Sequence, residues 1–567
     1  MRDSRKGWLA LLTLAAGFIA VCSAPAAPPL AGNWKVTAVS EGKEIVLALI
    51  KVEERDGKPA IKILGPEAVK DAPIENVTVA DRSLRFTMMM RGTPFHMAVY
   101  APKGEEKPKK LLGAVQPPGN AEPLIVERTD QTDIAEKDAE RDSPGFNELE
   151  RLAEEKGARK REEGVKALVK KHAGEPVVLA AAEMLVQIAI ADGAATDKVG
   201  PLADQYLKAA AVYGREMELH AALQLARGLL AAGKDSPLTV EYARQAEKQL
   251  KPIDPLQKQE FVLKVLAQAL RKAGKDDEAK ALDARLAKLE TQLDEEFEKH
   301  AIPFKLEARP RGKRTNERVA LVELFTGAQC PPCVAADIAF DAVHKTYKSN
   351  EVVLLQYHLH IPGPDALTNA DSEARGEYYR QDSTPAVYLD GKESDPRHPL
   401  GGGRAGGKES YDTLRKQLDG AIKKNVGASL WVATYRNGDK IDIEAEVSDL
   451  AKVGDRVRLR LVLVEEVVRY PARNGQRLHH CVVRAFPGGV NGFALLDNSV
   501  KKKATVNLAD LKKSLNAYLD KAAKAQRFPD DNRPLDLKRL KVVAFVQDDR
   551  SKEVLQAAEA NVPDPKK

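Results

Sequence analysis

Four folded segments in the order β, α, α/β, β are predicted for this chain, and three changes of pattern predict them. Short alternating apolar runs between turn residues fill residues 27–130. Ala, Leu, Lys and Glu at helical spacing fill 131–300. A buried strand–helix–strand pattern then occupies 301–425, and alternating strands return over 426–567. With 567 residues the chain is too long for one hydrophobic core, since domains typically hold roughly 100–200 residues. Its 89 basic and 83 acidic residues leave a net charge of +6. No run of Lys and Arg interleaved with aromatics marks a nucleic-acid groove, so this balance reads as a solvated surface and no nucleic-acid partner is expected.

Residues 1–26 read as a secretory signal peptide. Arg2, Arg5 and Lys6 precede the apolar run Trp8 to Val21, and the small-residue stretch Ser23 to Ala27 follows it. That run is short for a bilayer span, and no later stretch reaches the ~18–20 apolar residues a membrane helix needs, so no transmembrane span is expected. Cleavage after Ala24-x-Ala26 predicts an exported, periplasmic protein. The alternative is a membrane-associated lipoprotein acylated at Cys22, against which Val21 stands where a small residue is normally required. With Cys22 removed, Cys330, Cys333 and Cys481 remain. They are too few for a disulfide-stapled scaffold, and a close pair in an oxidising compartment points to use.

The first segment contains strand-like runs at Trp34–Val39, Ile45–Val52 and Leu84–Met88, which predicts a small antiparallel barrel or sandwich. Gly32-Asn33-Trp34 resembles the Gly-x-Trp signature of lipocalin-type barrels, but a tryptophan plugging the end of a β core is favoured over a ligand-binding barrel. In the second segment, Leu223, Ala226, Leu229 and Leu230, and likewise Val262, Val265, Leu266 and Leu270, define apolar helix faces. Leu229 to Asp235 and Leu270 to Asp276 look alike and resemble the turn of a tetratricopeptide-type hairpin, although their spacing departs from a 34-residue repeat. A helical-hairpin array is expected, serving as a spacer or a protein-docking scaffold. A basic Pro/Gly-containing connector, 302–317, leads into the third segment. The last segment carries strand runs at Ser429–Tyr435, Val457–Val464 and Val542–Val546 and a helix near Leu508 to Lys524, which predicts an Ig-like β-sandwich.

In the third segment, Val319 to Phe325 and Val352 to Tyr357 read as buried strands flanking a helix from Val334 to Tyr347. Between the first strand and the helix lies Cys330-Pro331-Pro332-Cys333. A C-x-x-C next to a βαβ pattern is a redox signature. A sulfur at a helix start is stabilised as thiolate by unsatisfied N–H groups and the helix dipole. Cys330 is then the attacking thiol, and Cys333 resolves the mixed disulfide. Pro331 and Pro332 bring no N–H groups to Cys330, so its pKa is expected nearer the ~7 of thioredoxin than the ~3.5 of DsbA, with a reducing or intermediate potential. No cofactor is expected, because the thiols themselves carry the electrons.

Glu323 to Gly327 running into Cys330-Pro331-Pro332-Cys333, with Ser383-Thr384-Pro385-Ala386-Val387 further on, resembles the thioredoxin superfamily. That resemblance implies that Pro385 is a cis-proline lying against the sulfurs and that Thr384 offers backbone hydrogen bonds to an extended substrate peptide. It also implies that Glu323 is near the place of a buried carboxylate assisting proton transfer at the second cysteine, although an outward-facing strand glutamate reads equally well. Gln329 replaces the tryptophan usual before the first cysteine, which leaves substrate preference open at that position. Residues 361–381, with a helix over Ser372–Tyr379, look like an insertion that roofs the site. Gln356 to Pro364, Arg477 to Arg484 and Val543 to Gln547 are similar to bacterial envelope proteins, called outer-membrane-associated, that join a thioredoxin-like domain to a C-terminal β domain.

The expected function is therefore an exported thiol-disulfide oxidoreductase that reduces or isomerises protein disulfides, with an envelope redox partner. Two alternatives remain. His358 and His360, two apart on a strand end, face one side and with the two cysteines suggest a copper site. A non-catalytic envelope adaptor with a structural disulfide is the other. His479, His480 and Cys481 suggest a further site, but alternation puts one histidine and the cysteine on opposite faces, which favours a buried structural Cys481.

Overall fold

The structure is a computed structural model that describes residues 30–565 except 81, 91–92, 106, 118–119, 136–137, 234–236, 308–317, 395–399 and 531. The signal peptide with Cys22, most of the basic connector, and Lys234 and Asp235 of one hairpin turn lie outside the described residues. The chain forms two compact units, the first ending at Leu289 and the second beginning at Glu290.

The first unit opens with nine strands: β1 (Gly32–Ser40), β2 (Lys43–Arg55), β3 (Lys58–Gly65), β4 (Ile74–Ala80), β5 (Ser83–Met90), β6 (Thr93–Tyr100), β7 (Lys110–Gln116), β8 (Glu122–Arg128) and β9 (Glu140–Asp142). They form one antiparallel sheet in the order β3-β2-β1-β8-β7-β6-β5-β4, with β9 paired to β2. The end strands β3 and β4 approach each other, so the sheet is a nearly closed barrel rather than a sandwich. Alternation along each strand puts Trp34, Val36, Leu84, Phe86, Met88, Met97 and Leu124 into a side-chain-filled interior. Trp34 is fully buried, and its indole N–H donates to the Leu30 carbonyl at 2.9 Å.

Eight helices follow: α1 (Phe146–Ala153), α2 (Ala158–Lys171), α3 (Val177–Ala191), α4 (Thr196–Ala211), α5 (Arg215–Ala231), α6 (Pro237–Gln249), α7 (Leu256–Lys272) and α8 (Asp276–His300). Helix was expected from residue 131, yet β9 first returns to the barrel edge and α1 begins only at Phe146. From α1 to α7 each helix packs on the next. The two similar turns each place a glycine just past a helix in the left-handed region, Gly233 at φ 65° and Gly274 at φ 68°. That conformation, which terminates helices, is strained for residues with a Cβ.

The second unit contains β10 (Ala320–Thr326), α9 (Cys333–Thr346), β11 (Val352–His358), α10 (Ala370–Tyr379), β12 (Ala386–Leu389), β13 (Lys392–Glu393), α11 (Gly407–Ala421), β14 (Ser429–Asn437), β15 (Lys440–Ser448), β16 (Gly454–Arg469), β17 (Leu478–Ala485), β18 (Phe493–Leu495), β19 (Val500–Asn507), α12 (Leu508–Ala525), β20 (Leu540–Asp548) and β21 (Val554–Asn561). β10 and β11 are parallel, with Ala320 opposite Val352, and every residue of both is buried. Such continuous apolar strands belong to a sheet covered on both faces.

The sheet does not stop at the expected boundary at residue 425. Its order is β13-β12-β10-β11-β17-β16-β20-β21, because β11 pairs in parallel with β17 at Gln356–Val482. A separate C-terminal sandwich was expected, and two packed layers do form over 426–567, but one of them is this shared sheet. The other is the three-stranded sheet β14-β15-β19. Leu459, Leu461 and Leu463 of β16 face it, together with Ile441, Ile443 and α12 residues Leu515 and Leu519. The alternate residues Val462 and Val464 join Leu321, Phe325 and Tyr357 in the other core. β16 is thus buried on both sides and supplies two cores at once.

Candidate functional site

β10 ends at Thr326, and the chain turns through Gly327 to Cys330 before α9 begins at Cys333. Cys330 and Cys333 are joined as a disulfide with an S–S distance of 2.06 Å. Cys333 is the first helical residue, and Cys330 stands one turn ahead of it with its sulfur bonded at the helix start. The donors of that first turn are occupied. The Cys333 N–H reaches the Cys330 carbonyl at 3.2 Å, Val334 reaches the Pro331 carbonyl at 3.4 Å, and Ala335 donates to the Gly402 carbonyl at 2.9 Å.

The Thr384–Pro385 peptide bond is cis, and the Thr384 carbonyl oxygen lies 3.6 Å from the Cys330 sulfur. Reduction of the disulfide would turn that contact into a thiol-to-carbonyl hydrogen bond. The Thr384 hydroxyl donates to the Ile361 carbonyl at 3.3 Å, which links this strand start to the 361–381 segment. The side chain of Gln329 points the same way and donates to the Pro364 carbonyl at 2.6 Å. It fastens a neighbouring loop. Both cysteines are buried, with Cys330 2% and Cys333 0% exposed, while Pro331 and Pro332 face solvent. Beside the motif, Gln329, Pro364, Arg473 and Arg527 line a cleft of about 490 Å³.

Glu323 is fully buried, away from the cysteines. Its carboxylate accepts from Arg375 at 2.8 and 2.9 Å, from the Tyr379 hydroxyl at 2.6 Å and from the Tyr357 hydroxyl at 3.0 Å. Arg375, itself fully buried, also stacks against Tyr378, Tyr379 and Phe545. No hydrogen bond joins Glu323 to either sulfur among the described residues.

The buried carboxyl nearest the motif in chain geometry is Asp337, one helical turn beyond Cys333 on the same face of α9. It accepts from the Thr326 hydroxyl at 2.9 Å and the Gln356 amide at 3.2 Å. Burial pushes its pKa up to about 8. From Gln356 the contacts continue to His358 at 3.3 Å and from His358 to Asp365 at 2.7 Å. Asp365 in turn accepts from the backbone N–H of Ala328 at 2.6 Å, two residues before Cys330. Burial raises the Asp365 pKa, but His358 and the N–H groups of Leu367 and Ala328 hold it below the ordinary value. Asn474, on the loop before β17, donates to the Gly327 carbonyl at 3.3 Å. One signal for Asp337 lies in the sequence: it is a lone acid in the apolar run Val334 to Phe340. For Asp365 and Asn474 there is none, because their partners are distant in the chain.

The two histidines considered for copper have both ring nitrogens engaged. Besides its contacts to Asp365 and Gln356, His358 packs edge-on against His479, and His360 contacts the Asp365 N–H at 2.9 Å and the Tyr518 hydroxyl at 3.1 Å. No group of three or more His, Cys, Asp or Glu among the described residues is arranged to hold a metal ion. Burial lowers the His479 pKa to about 3, whereas Asp341 at 2.7 Å raises that of His480 against the opposing effect of its burial. Cys481 is a fully buried free thiol whose pKa burial lifts to about 11, which makes it inert. No helix among the described residues is long and apolar enough to cross a membrane.

No family model matches the chain, and no curated protein does. Among solved structures, Pseudomonas fluorescens alkylpurine DNA glycosylase AlkC bound to DNA containing an abasic site analog aligns at 12% identity with a TM-score of 0.12, over 72% of this chain and 83% of that one. So low a TM-score carries no argument about fold or activity.

Proposed function

We propose that the protein is an exported thiol-disulfide oxidoreductase that reduces or isomerises protein disulfides through Cys330 and Cys333. The observation that carries the reading is the juxtaposition of the Cys330–Cys333 disulfide with the carbonyl of Thr384 ahead of Pro385, 3.6 Å from the Cys330 sulfur. In the reducing direction the Cys330 thiolate attacks one sulfur of a substrate disulfide, forming a mixed disulfide and releasing one substrate thiol. The Cys333 thiolate then attacks the Cys330 sulfur, the second substrate thiol leaves, and the Cys330–Cys333 bond is restored. Two electrons pass to the substrate, and an exported dithiol partner returns them to the pair. The N–H groups that Pro331 and Pro332 lack support a Cys330 pKa nearer ~7 than ~3.5. Export rests on residues 1–26 of the sequence.

The test uses the full chain. Cys333→Ala is expected to trap disulfide-bearing proteins as mixed disulfides that dithiothreitol releases, and the unaltered protein to reduce insulin. The potential of the pair is expected nearer about −270 mV than about −120 mV. The near-complete burial of both sulfurs favours a second reading, an adaptor with a fixed structural disulfide. It requires that Cys333→Ala captures nothing and that the pair resists glutathione.

A further inference from the structure

The first unit holds a cleft of mixed polar and apolar lining that the proposed thiol chemistry does not use. Helices α5 and α7 start against the outer face of β5, β6 and β7, and between them lies a cleft of about 450 Å³, within the usual range for small-molecule sites. The strand residues reach it because alternation turns their neighbours inward: Leu84, Phe86, Met97 and Val115 fill the barrel, so Arg85, Thr87, His96 and Gln116 point out. Thr87, His96 and Gln116 stand in cross-strand register as one polar row. On the far side, the edge strand β4 breaks register between Glu75 and Thr78, with Asn76 at φ 55°, and both Asn76 and Val77 line the cleft. Such bulges redirect side chains at sheet edges.

Charge within the cleft is balanced except at one residue. Glu216 pairs with Arg85 at 3.3 Å and with Arg215, and it also accepts from the Tyr100 hydroxyl at 2.6 Å. Asp254 receives Arg215 at 2.6 and 2.8 Å. Three cations thus meet two carboxylates, and Lys258 is the cation with no ion pair among the described residues. Its ammonium donates to the Gln116 side-chain oxygen, leaving further N–H groups free. Burial holds its pKa down, against the opposing pull of the Asp254 and Glu216 carboxylates. The Gln116 amide N–H₂ group and the second ring nitrogen of His96 make no hydrogen bond to described residues, while the first contacts the Thr87 hydroxyl at 2.9 Å. Apolar surface comes from Val77 on the bulge and from Ile253, 65% exposed, on the helical side.

We infer that this cleft binds a small monocarboxylate with an apolar body, its carboxylate on Lys258 and Gln116 and its hydrocarbon part against Val77 and Ile253. A single excess positive charge matches one carboxylate, whereas a phosphate dianion would bring one negative charge too many. The inference is independent of the cysteine pair.

Titration calorimetry of the full chain at neutral pH tests it with octanoate, 1-octanol and inorganic phosphate as probes. Octanoate is expected to bind with one-to-one stoichiometry, and octanol and phosphate each at least about tenfold more weakly, since one lacks the charge and the other the apolar body. Lys258→Met is expected to weaken octanoate at least about tenfold, and Ile253→Ser severalfold. Absence of octanoate binding at millimolar concentration overturns the inference, as does octanol or phosphate binding as tightly as octanoate. Both outcomes are read on the unaltered protein, so they stand even if a variant fails to fold.

Discussion

Glu323 and Asp337 are both buried acids, yet their surroundings differ in kind. Glu323 meets a bidentate guanidinium and two phenol hydroxyls inside the core. Replacing it with Gln strands the Arg375 charge where no water reaches, and breaking a buried pair from one side costs about 3–5 kcal/mol. Denaturant unfolding of Glu323→Gln is expected to show a loss of that order, and a loss below about 1 kcal/mol would contradict the pairing. Asp337 meets only a hydroxyl and an amide and is expected to remain protonated. Its folded pKa of about 8 lies above the ~3.9 of an unfolded chain, so the folded state binds the extra proton between those values. The contribution to stability is therefore full below about pH 4 and is lost as pH rises through about 8. Asp337→Asn keeps the hydrogen bonds without the ionisation, and it is expected to flatten the decline in unfolding free energy over that window. An unchanged slope would assign the decline to other groups. Neither fate was legible in the sequence. Glu323 reads as a candidate acid beside the motif because its neutralising Arg375 lies 52 residues away, and no local pattern links the two.

Among the elements, those with a strong period were legible. The alternation at Trp34–Val39, Ile45–Val52 and Leu84–Met88 corresponds to strands β1, β2 and β5, and the helix expected from Val334 to Tyr347 is α9 within one residue at each end. The fine structure of the motif's turn was not, since it depends on contacts from other elements. Gly327 shows this best. A Cβ there would lie 2.2 Å from the Ile361 carbonyl oxygen, so at Gly327 the two segments meet backbone to backbone. Backbone cannot yield as a flexible side chain does. Gly327→Ala is expected to displace the loop at a cost of about 1–3 kcal/mol in unfolding free energy, the usual penalty for overpacking. The same loop accepts from Thr384 and Gln329, both next to the sulfurs. Its displacement should expose the disulfide, and reduction of the variant by dithiothreitol under native conditions is expected to be severalfold faster. An equal rate in variant and parent would show that the loop does not limit access.

At the scale of the whole molecule, the boundary expected at residue 425 divides by composition what hydrogen bonding joins. The strand runs expected at 429–435, 457–464 and 542–546 lie within β14, β16 and β20, but which strand pairs with which was not legible, because β11 and β17 meet at a single register pair 126 residues apart, Gln356 and Val482. The consequence for stability is direct. A fragment of 301–425 would leave β11 as a flat apolar edge, without the cover of Val462, Val464, Val483, Val543 and Phe545. It would also lose the Gln547 carbonyl that accepts from Arg375 at 3.0 Å, the Phe486 ring stacked near Tyr357 and the Asn474 amide at the Gly327 carbonyl. An exposed apolar edge strand is an aggregation site, and a core missing one wall loses its fixed packing before its secondary structure. The fragment 301–425 is therefore expected to keep far-ultraviolet dichroism while losing the near-ultraviolet signal and a cooperative unfolding transition, and the fragment 290–567 is expected to retain both. A cooperative transition with intact near-ultraviolet dichroism in the shorter fragment would contradict this interdependence. If the expectation holds, the environment of Cys330 is built jointly by β10, α9 and the loop before β17, and its pKa and potential are properties of residues 290–567 together.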